Sequence, residues 1–269
     1  MEKINSIIFS KDRAMQLHLL LESLEKNSKD IFEISVLYKS TSEEFENGYL
    51  KVKEKFPYVN FVPESEKEFK KQTLELLNRG LKYSCFFTDD DIIYNSINQE
   101  QIITTLENDQ DVFCFSLRLG KNTTNCYTMR ANNVIVLLSE ENDIVKWDWT
   151  KHYMDFGYPL SVDGHIFRTK DILKLSNLVS YQNPNTFEAS LQIFDNYPKS
   201  KMAAFSESKL VNSPVNIVQN VFENRKAEEY NYSTKELNDM FLSNKKIDYN
   251  QINFNNIIGC HQELEFKFL

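Results

Sequence analysis

The chain has 269 residues, 41% of them hydrophobic and 13% aromatic, with six glycines, six prolines and a formal net charge of −8. That is enough apolar material for a full core and too little Gly and Pro for a linker-rich array, which excludes low-complexity disorder of the body. The acidic balance argues against broad nucleic-acid binding, and any phosphate-bearing ligand must meet a local cation or basic pocket.

Residues 4–9 read as a buried strand, which Ser10-Lys11-Asp12-Arg13 turns into a helix over 14–26 with leucines at helical spacing. A second strand over 31–38 is followed by a helix over 43–56, closed by Pro57. A third strand over 58–62 leads to an amphipathic helix over 66–81, with Leu74, Leu77 and Leu81 on one face. Residues 83–88 form a fourth strand. This alternation predicts right-handed crossovers and an α/β fold: a mostly parallel central sheet with helices on both faces. A helix over 99–106 and a strand over 112–117 follow.

The second half is less regular. Strands are expected at 134–138, 144–149 and 165–169. Helices are expected at 186–194, with Asn185 as N-cap, and at 234–243, with Ser233 as cap. Residues 216–224 read as a short helix or extended segment, and the tail 257–269 alternates apolar and polar. No repeat or boundary stands out, so 1–269 reads as a single domain. The four cysteines (Cys85, Cys114, Cys126, Cys260) show no zinc spacing and read as free thiols of a reducing, cytoplasmic compartment. The start of the chain lacks the apolar segment of a signal peptide, and no run approaches the roughly 20 apolar residues of a membrane span.

The most pointed feature is Cys85-Phe86-Phe87-Thr88-Asp89-Asp90-Asp91-Ile92-Ile93-Tyr94, an apolar strand ending in three carboxylates. Adjacent acids repel, and a fold keeps them at a buried strand's end most readily where a cation neutralises them. Closely spaced oxygen ligands suit Mg²⁺ or Mn²⁺ rather than zinc. The plainer alternative is a solvated acidic turn before the next helix. Open sheets of this kind bind ligands at the carboxyl ends of their strands. Residues 10–13 and 89–91 fall there together, on one edge.

These residues together resemble GT-A-type glycosyltransferases, the DxD-containing members of the nucleotide-diphospho-sugar transferase superfamily. The resemblance covers the first 120 residues well and the rest loosely. It implies a GT-A (Rossmann-like) fold with an irregular C-terminal extension, a nucleotide-binding half over 1–120 and an acceptor half over 121–269. The implied activity is metal-dependent transfer of a sugar from a nucleotide-diphospho-sugar donor to a hydroxyl of a glycan, lipid-linked or protein acceptor. Mn²⁺ or Mg²⁺ would be held by Asp91, with Asp89 facing the ribose or reaching the metal through water, and Asp90 turned toward the sheet or the sugar. His261, in Gly259-Cys260-His261-Gln262-Glu263, matches the late histidine that several such enzymes supply as a metal ligand. Ser10, Asp12 and Arg13 would lie beside the nucleotide, a role compatible with capping the helix that follows.

An inverting reaction also needs a base for the acceptor hydroxyl. Glu188 and Asp163 are the two candidates, although the family's usual Glu-Asp pair is absent. Glu188 serves equally as a capping-box residue, and Asp163 equally as a donor-sugar ligand. His165 reads as structural or acceptor-facing. Trp147, Trp149, Tyr153, Phe156 and Tyr158 read as core packing rather than a sugar platform. The polar stretch 121–130 reads as a loop that closes over the donor. Two other functions remain open: a sugar-nucleotide nucleotidyltransferase, disfavoured because no glycine-rich loop follows the first strand, and a non-catalytic nucleotide- or glycan-binding module. Nucleic acid is not an expected partner. Peripheral membrane contact stays open for a lipid-linked acceptor.

Overall fold

Each apolar run of the first half becomes a strand, and each amphipathic run becomes the helix that returns the chain to lay down the next strand in parallel. The computed structural model describes residues 2–194, 196–216 and 229–269. In order come β1 (Ile4–Lys11), α1 (Ala14–Asn27), β2 (Phe32–Lys39), α2 (Glu43–Lys55), β3 (Asn60–Pro63), α3 (Phe69–Leu77), β4 (Tyr83–Thr88), β5 (Asp91–Ile93), α4 (Gln99–Asn108) and β6 (Val112–Ser116). The second half adds β7 (Asn125–Cys126), β8 (Ala131–Asn132), β9 (Leu137–Glu141), β10 (Ile144–Asp148), β11 (His165–Arg168), α5 (Thr169–Leu178), α6 (Pro184–Leu191), β12 (Lys201–Phe205), β13 (Leu210–Asn212) and α7 (Thr234–Leu242).

Nine strands form one sheet in the order β3-β2-β1-β4-β11-β6-β12-β10-β9. The block β3-β2-β1-β4 is parallel throughout. Strand β11 then runs antiparallel between β4 and β6. Successive side chains point to opposite faces, so Ile8, Phe87, Phe115 and Ile166 enter one apolar layer while Phe9, Phe86, Cys114 and Phe167 enter the other. All four cysteines are free and buried.

Several boundaries differ from expectation. Helix α3 is shorter than the expected 66–81, because Lys67 (φ 61°) and Gly80 (φ 86°) bracket it in left-handed conformations that a helix cannot continue through. Helix α6 is capped by Asn183, not Asn185. Asn183 accepts from Thr186 N–H, Thr186 reaches back to the Asn183 N–H, and Pro184 takes the first helical position that suits its missing donor. Helix α5 has no side-chain cap to announce it, and it starts at Thr169, a residue expected to end a strand. The expected strand at 134–138 begins only at Leu137. Ser233 caps α7 as expected. The segment expected at 216–224 lies outside the described residues from 217 on. The alternating tail builds no strand; it is stitched on by single bridges such as Asn125 with Gly259 and Asn212 with His261.

Candidate active site

Strand direction decides what meets at the sheet's edge. The parallel β1 and β4 deliver Ser10, Lys11 and the acids at their carboxyl ends, with Phe9 opposite Thr88. Because β11 is antiparallel, its beginning lies at that same edge: Gly164 N–H donates to Phe86 O at 2.8 Å and its C=O accepts from Leu117 N–H at 2.9 Å. Asp163 is thereby brought beside the end of β4, and Arg118 beside the end of β6. The short ribbon of β5 and β13 sets Asn212 opposite Asp91, and the Asn212–His261 bridge adds the tail.

Arg13 organises the first cluster. Its Nη1 donates to Asp89 Oδ1 at 2.9 Å and to Asp90 Oδ2 at 3.0 Å, and its Nε donates to Asn216 Oδ1 at 2.7 Å. A further bond runs from Nη2 to the Asn216 carbonyl. Asp89 also accepts from Lys11 N–H at 3.1 Å. Burial drives the Asp89 carboxyl up to about 6; Arg13 pulls against this and Asp90 adds to it. The guanidinium itself is pushed above its ordinary value, because Asp90 and Asp89 together outweigh the cost of burying it. Ser10 Oγ and Tyr49 Oη are 2.7 Å apart, which fixes the turn. Asp12 adopts φ 54°, and its two oxygens accept from Thr41 N–H at 2.8 Å and Thr41 Oγ1 at 2.9 Å. Its carboxylate is thus spent on holding the β1 and β2 loops together. Neither Ser10 nor Asp12 caps α1, whose N-cap is Arg13, with no side-chain bond to the helix N–H groups.

The second cluster centres on Asp163. Its Oδ1 accepts from Thr88 Oγ1 at 3.0 Å, and its Oδ2 lies 3.1 Å from Arg118 Nη1 and 3.5 Å from His261 Nε2. Burial alone would raise this carboxyl, but the His261 hydrogen bond and the Arg118 charge prevail and hold it at about 2. Glu188 goes the other way. It is raised by burial and by the Asp163 charge, with Arg118 and the Val162 N–H (3.1 Å) only partly compensating. All three face one cleft of about 900 Å³ that Ser10, Arg13, Asp89, Asp90 and His261 also line. His165, by contrast, is fully buried, with Nδ1 3.0 Å from Pro159 O. Trp147, Trp149 and Phe156 are core, Tyr158 reaches the cleft, and Tyr153 is exposed. Within 121–130, the short β7 strand pairs with β8, and Cys126 to Met129 form a wall of the cleft.

Asp91 is fully buried; Thr88 N–H (3.0 Å) and Asn212 Nδ2 (3.1 Å) donate to it. Burial and the charges of Asp163 and Asp90 push its carboxyl well above the usual range. The same Asn212 amide lies 2.9 Å from Asp90 Oδ1. Asp90 and Asp91 thus share the Asn212 amide, and a backbone bridge from Asn212 brings His261 alongside. Carboxylates and an imidazole are donors that fit Mn²⁺ in kind, and Asp91's unfavourable charge is what a divalent cation would relieve. As they stand, no three His, Cys, Asp or Glu side chains among the described residues are grouped closely enough to hold a metal ion. Arg118, Asn212 and Asn216 are members of the site that no motif announces. Arg118 alone had a readable position, one residue past a predicted strand.

The chain matches no family model. It is 30% identical over 279 aligned residues to the bifunctional glycosyltransferase pgtA of Dictyostelium discoideum; the alignment covers 91% of this chain and 36% of that protein, so the chain spans about a third of the relative's length. Among solved structures, S. aureus TarS (residues 1–349, in complex with UDP) superposes with a TM-score of 0.50 at 20% identity, covering 79% of this chain and 61% of that one. No helix among the described residues is long and apolar enough to cross a membrane. A parallel β3-β2-β1-β4 block, an antiparallel strand inserted beside it, and acids where the block meets that strand give this chain a GT-A-type fold, shared with TarS.

Proposed function

We propose that the chain is a metal-dependent glycosyltransferase that moves a sugar from a nucleotide-diphospho-sugar to a hydroxyl of a glycan, lipid-linked or protein acceptor. The observation that carries this reading is the pairing of Asp163 and Glu188, two carboxyls of one cleft with opposite perturbations, beside the acids and Arg13 at the end of β4. Such divergence separates an acid that stays charged from one whose proton affinity suits base chemistry.

In this reading Arg13 and the Lys11–Arg13 turn bind the donor's phosphates, and Asp89 orients the ribose side. Asp91 and His261 would hold Mn²⁺ or Mg²⁺, which when bound offsets the charge of the departing nucleoside diphosphate. Arg118 keeps Asp163 ionised, and Asp163 in turn aligns His261. Glu188 takes the proton of the acceptor hydroxyl as its oxygen attacks the anomeric carbon and the bond to the diphosphate breaks. A base on the face opposite the leaving group belongs to a single displacement with inversion. The curated relative's name supports the transferase class, and the UDP complex of TarS supports a nucleotide donor.

Titration calorimetry with UDP, GDP and CDP, with and without Mn²⁺, tests the donor site. Metal-enhanced binding of at least one is expected, and Asp91→Ala should abolish the enhancement. Binding of none would end the reading.

A further inference from the structure

The cleft has an end that the chemistry above does not use. Past the Ser10–Arg13 turn it continues over the carboxyl ends of β2 and β3, where Phe9, Leu37, Lys39, Glu64 and Phe69 line it. A donor whose phosphates sit at Arg13 and whose sugar points to Asp163 and Glu188 must lay its base there. Phe9 and Phe69, with ring centroids 5.3 Å apart, provide an apolar floor on which a flat ring can rest. At its rim stand one cation and one anion: Lys39 Nζ lies 3.2 Å from Glu64 Oε1. Glu64 is held in place by its own N–H, which donates to Tyr38 O at 2.7 Å. Its side chain is 15% exposed against 45% for Lys39, so the carboxylate is the sheltered, fixed partner. Among the described residues Oε2 accepts no bond.

We infer that this end selects guanine, making the donor a guanosine diphospho-sugar; the inference rests on the donor-site reading above. Guanine presents along one edge an acceptor (O6), a donor (N1–H) and a second donor (the 2-amino group). A carboxylate accepts both N–H groups at once, and an ammonium beside it donates to O6. Uracil offers one N–H flanked by two carbonyls, so the second carboxylate oxygen faces a carbonyl and is repelled. Cytosine and adenine offer an amino group next to a bare ring nitrogen, which leaves one carboxylate oxygen opposite an acceptor. Guanine is the base whose edge satisfies the whole ion pair.

The test is calorimetry of the wild type and of Glu64→Gln with GDP, UDP, CDP, ADP and xanthosine diphosphate, each with Mn²⁺. GDP should bind the wild type about ten-fold or more tightly than the other diphosphates, the discrimination typical of a bidentate base contact. In Glu64→Gln, GDP should weaken by a similar factor and xanthosine diphosphate should overtake it, because the glutamine amide donates to the 2-oxo group where guanine carries an amine. A structural role for Glu64 would not reverse that order. If UDP, CDP or ADP matches GDP in the wild type, or if the order survives in Glu64→Gln, guanine selection is wrong while the donor site stands. If no diphosphate binds at all, the donor-site reading beneath it fails as well.

Discussion

Glu188 and Asp163 lie against the same cleft, yet their surroundings push them apart. Asp163 has a guanidinium, an imidazole and a hydroxyl as partners, whereas for Glu188 the Arg118 charge, the Val162 N–H and the Ser161 hydroxyl are outweighed by burial and the negative charge of Asp163. If Glu188 is the base, Glu188→Gln removes proton transfer but keeps shape, and turnover should fall by about 10²–10⁴-fold with donor affinity unchanged. Donor titration and steady-state kinetics on the same preparation check this; equal losses in both would indicate a binding role instead. The pH dependence follows from the direction in which Glu188 is moved. A base must be ionised, so activity should rise with pH through an apparent value above the ordinary 4.5 of glutamate. Arg118 lowers the Glu188 value, so Arg118→Met should move that limb to higher pH, while Arg118→Lys should leave it near the wild-type position. Breaking the buried Arg118–Asp163 pair also costs stability, roughly 3–5 kcal/mol, so the pH profile rather than the rate is the informative readout.

The strand β11 is the element that makes the site, and Gly164 is the residue that lets it. Gly164 sits at φ 67°, and a Cβ there would approach Leu210 Cδ1 to 2.8 Å. It joins Asp163, which must face the cleft, to His165, which must enter the sheet. Gly164→Ala should therefore lower unfolding free energy by more than about 1 kcal/mol, through left-handed strain together with the clash. Turnover should fall as well, because Asp163 moves with the bend; urea unfolding and kinetics check both. That element also marks how far the sequence could be read. The β1–β4 block and its helices were legible because their apolar periods are long and local, and the acids were legible because charge at a strand's end is conspicuous. The antiparallel insertion of β11 between β4 and β6 was not, since four residues of His-Ile-Phe-Arg carry no record of which neighbours they pair with. The spread of the triplet was equally hidden. Asp89 and Asp90 pair with Arg13 while Asp91 is fully buried, and this division follows from β5 pairing with β13, a contact 121 residues distant at Asn212.

Across the whole molecule, acid acts on two sets of buried groups with opposite signs. His18 on α1 is wedged edge-on between Phe56 and Phe241, joining the ends of α2 and α7 to the sheet's flank. Burial is the main cause that lowers it to about 4, and burial with the Arg118 charge lowers His165 to about 3. Both are neutral in the fold, whereas the unfolded chain takes up protons near 6.5. Their contribution is therefore complete above pH 6.5 and is lost as pH falls toward 4 and 3. The cleft carboxyls oppose this. Asp89, raised to about 6 chiefly by burial, and the raised Asp91 and Glu188 bind protons in the fold before the unfolded chain does, so they add stability over part of the same window. The net slope of wild-type stability is then shallow, and a variant that removes one side exposes the other. His18→Phe keeps an aromatic ring between Phe56 and Phe241 but cannot titrate. Each tenfold rise in proton concentration below the unfolded imidazole's midpoint costs a histidine held neutral about 1.36 kcal/mol. Between about pH 7 and pH 5 the variant should therefore lose less stability than the wild type, by up to about 2 kcal/mol. Urea denaturation of both proteins at the two pH values measures the difference directly. Parallel changes in the two proteins would mean that His18 titrates alike in the folded and unfolded chain, and that its seat between the two phenylalanines is open to water.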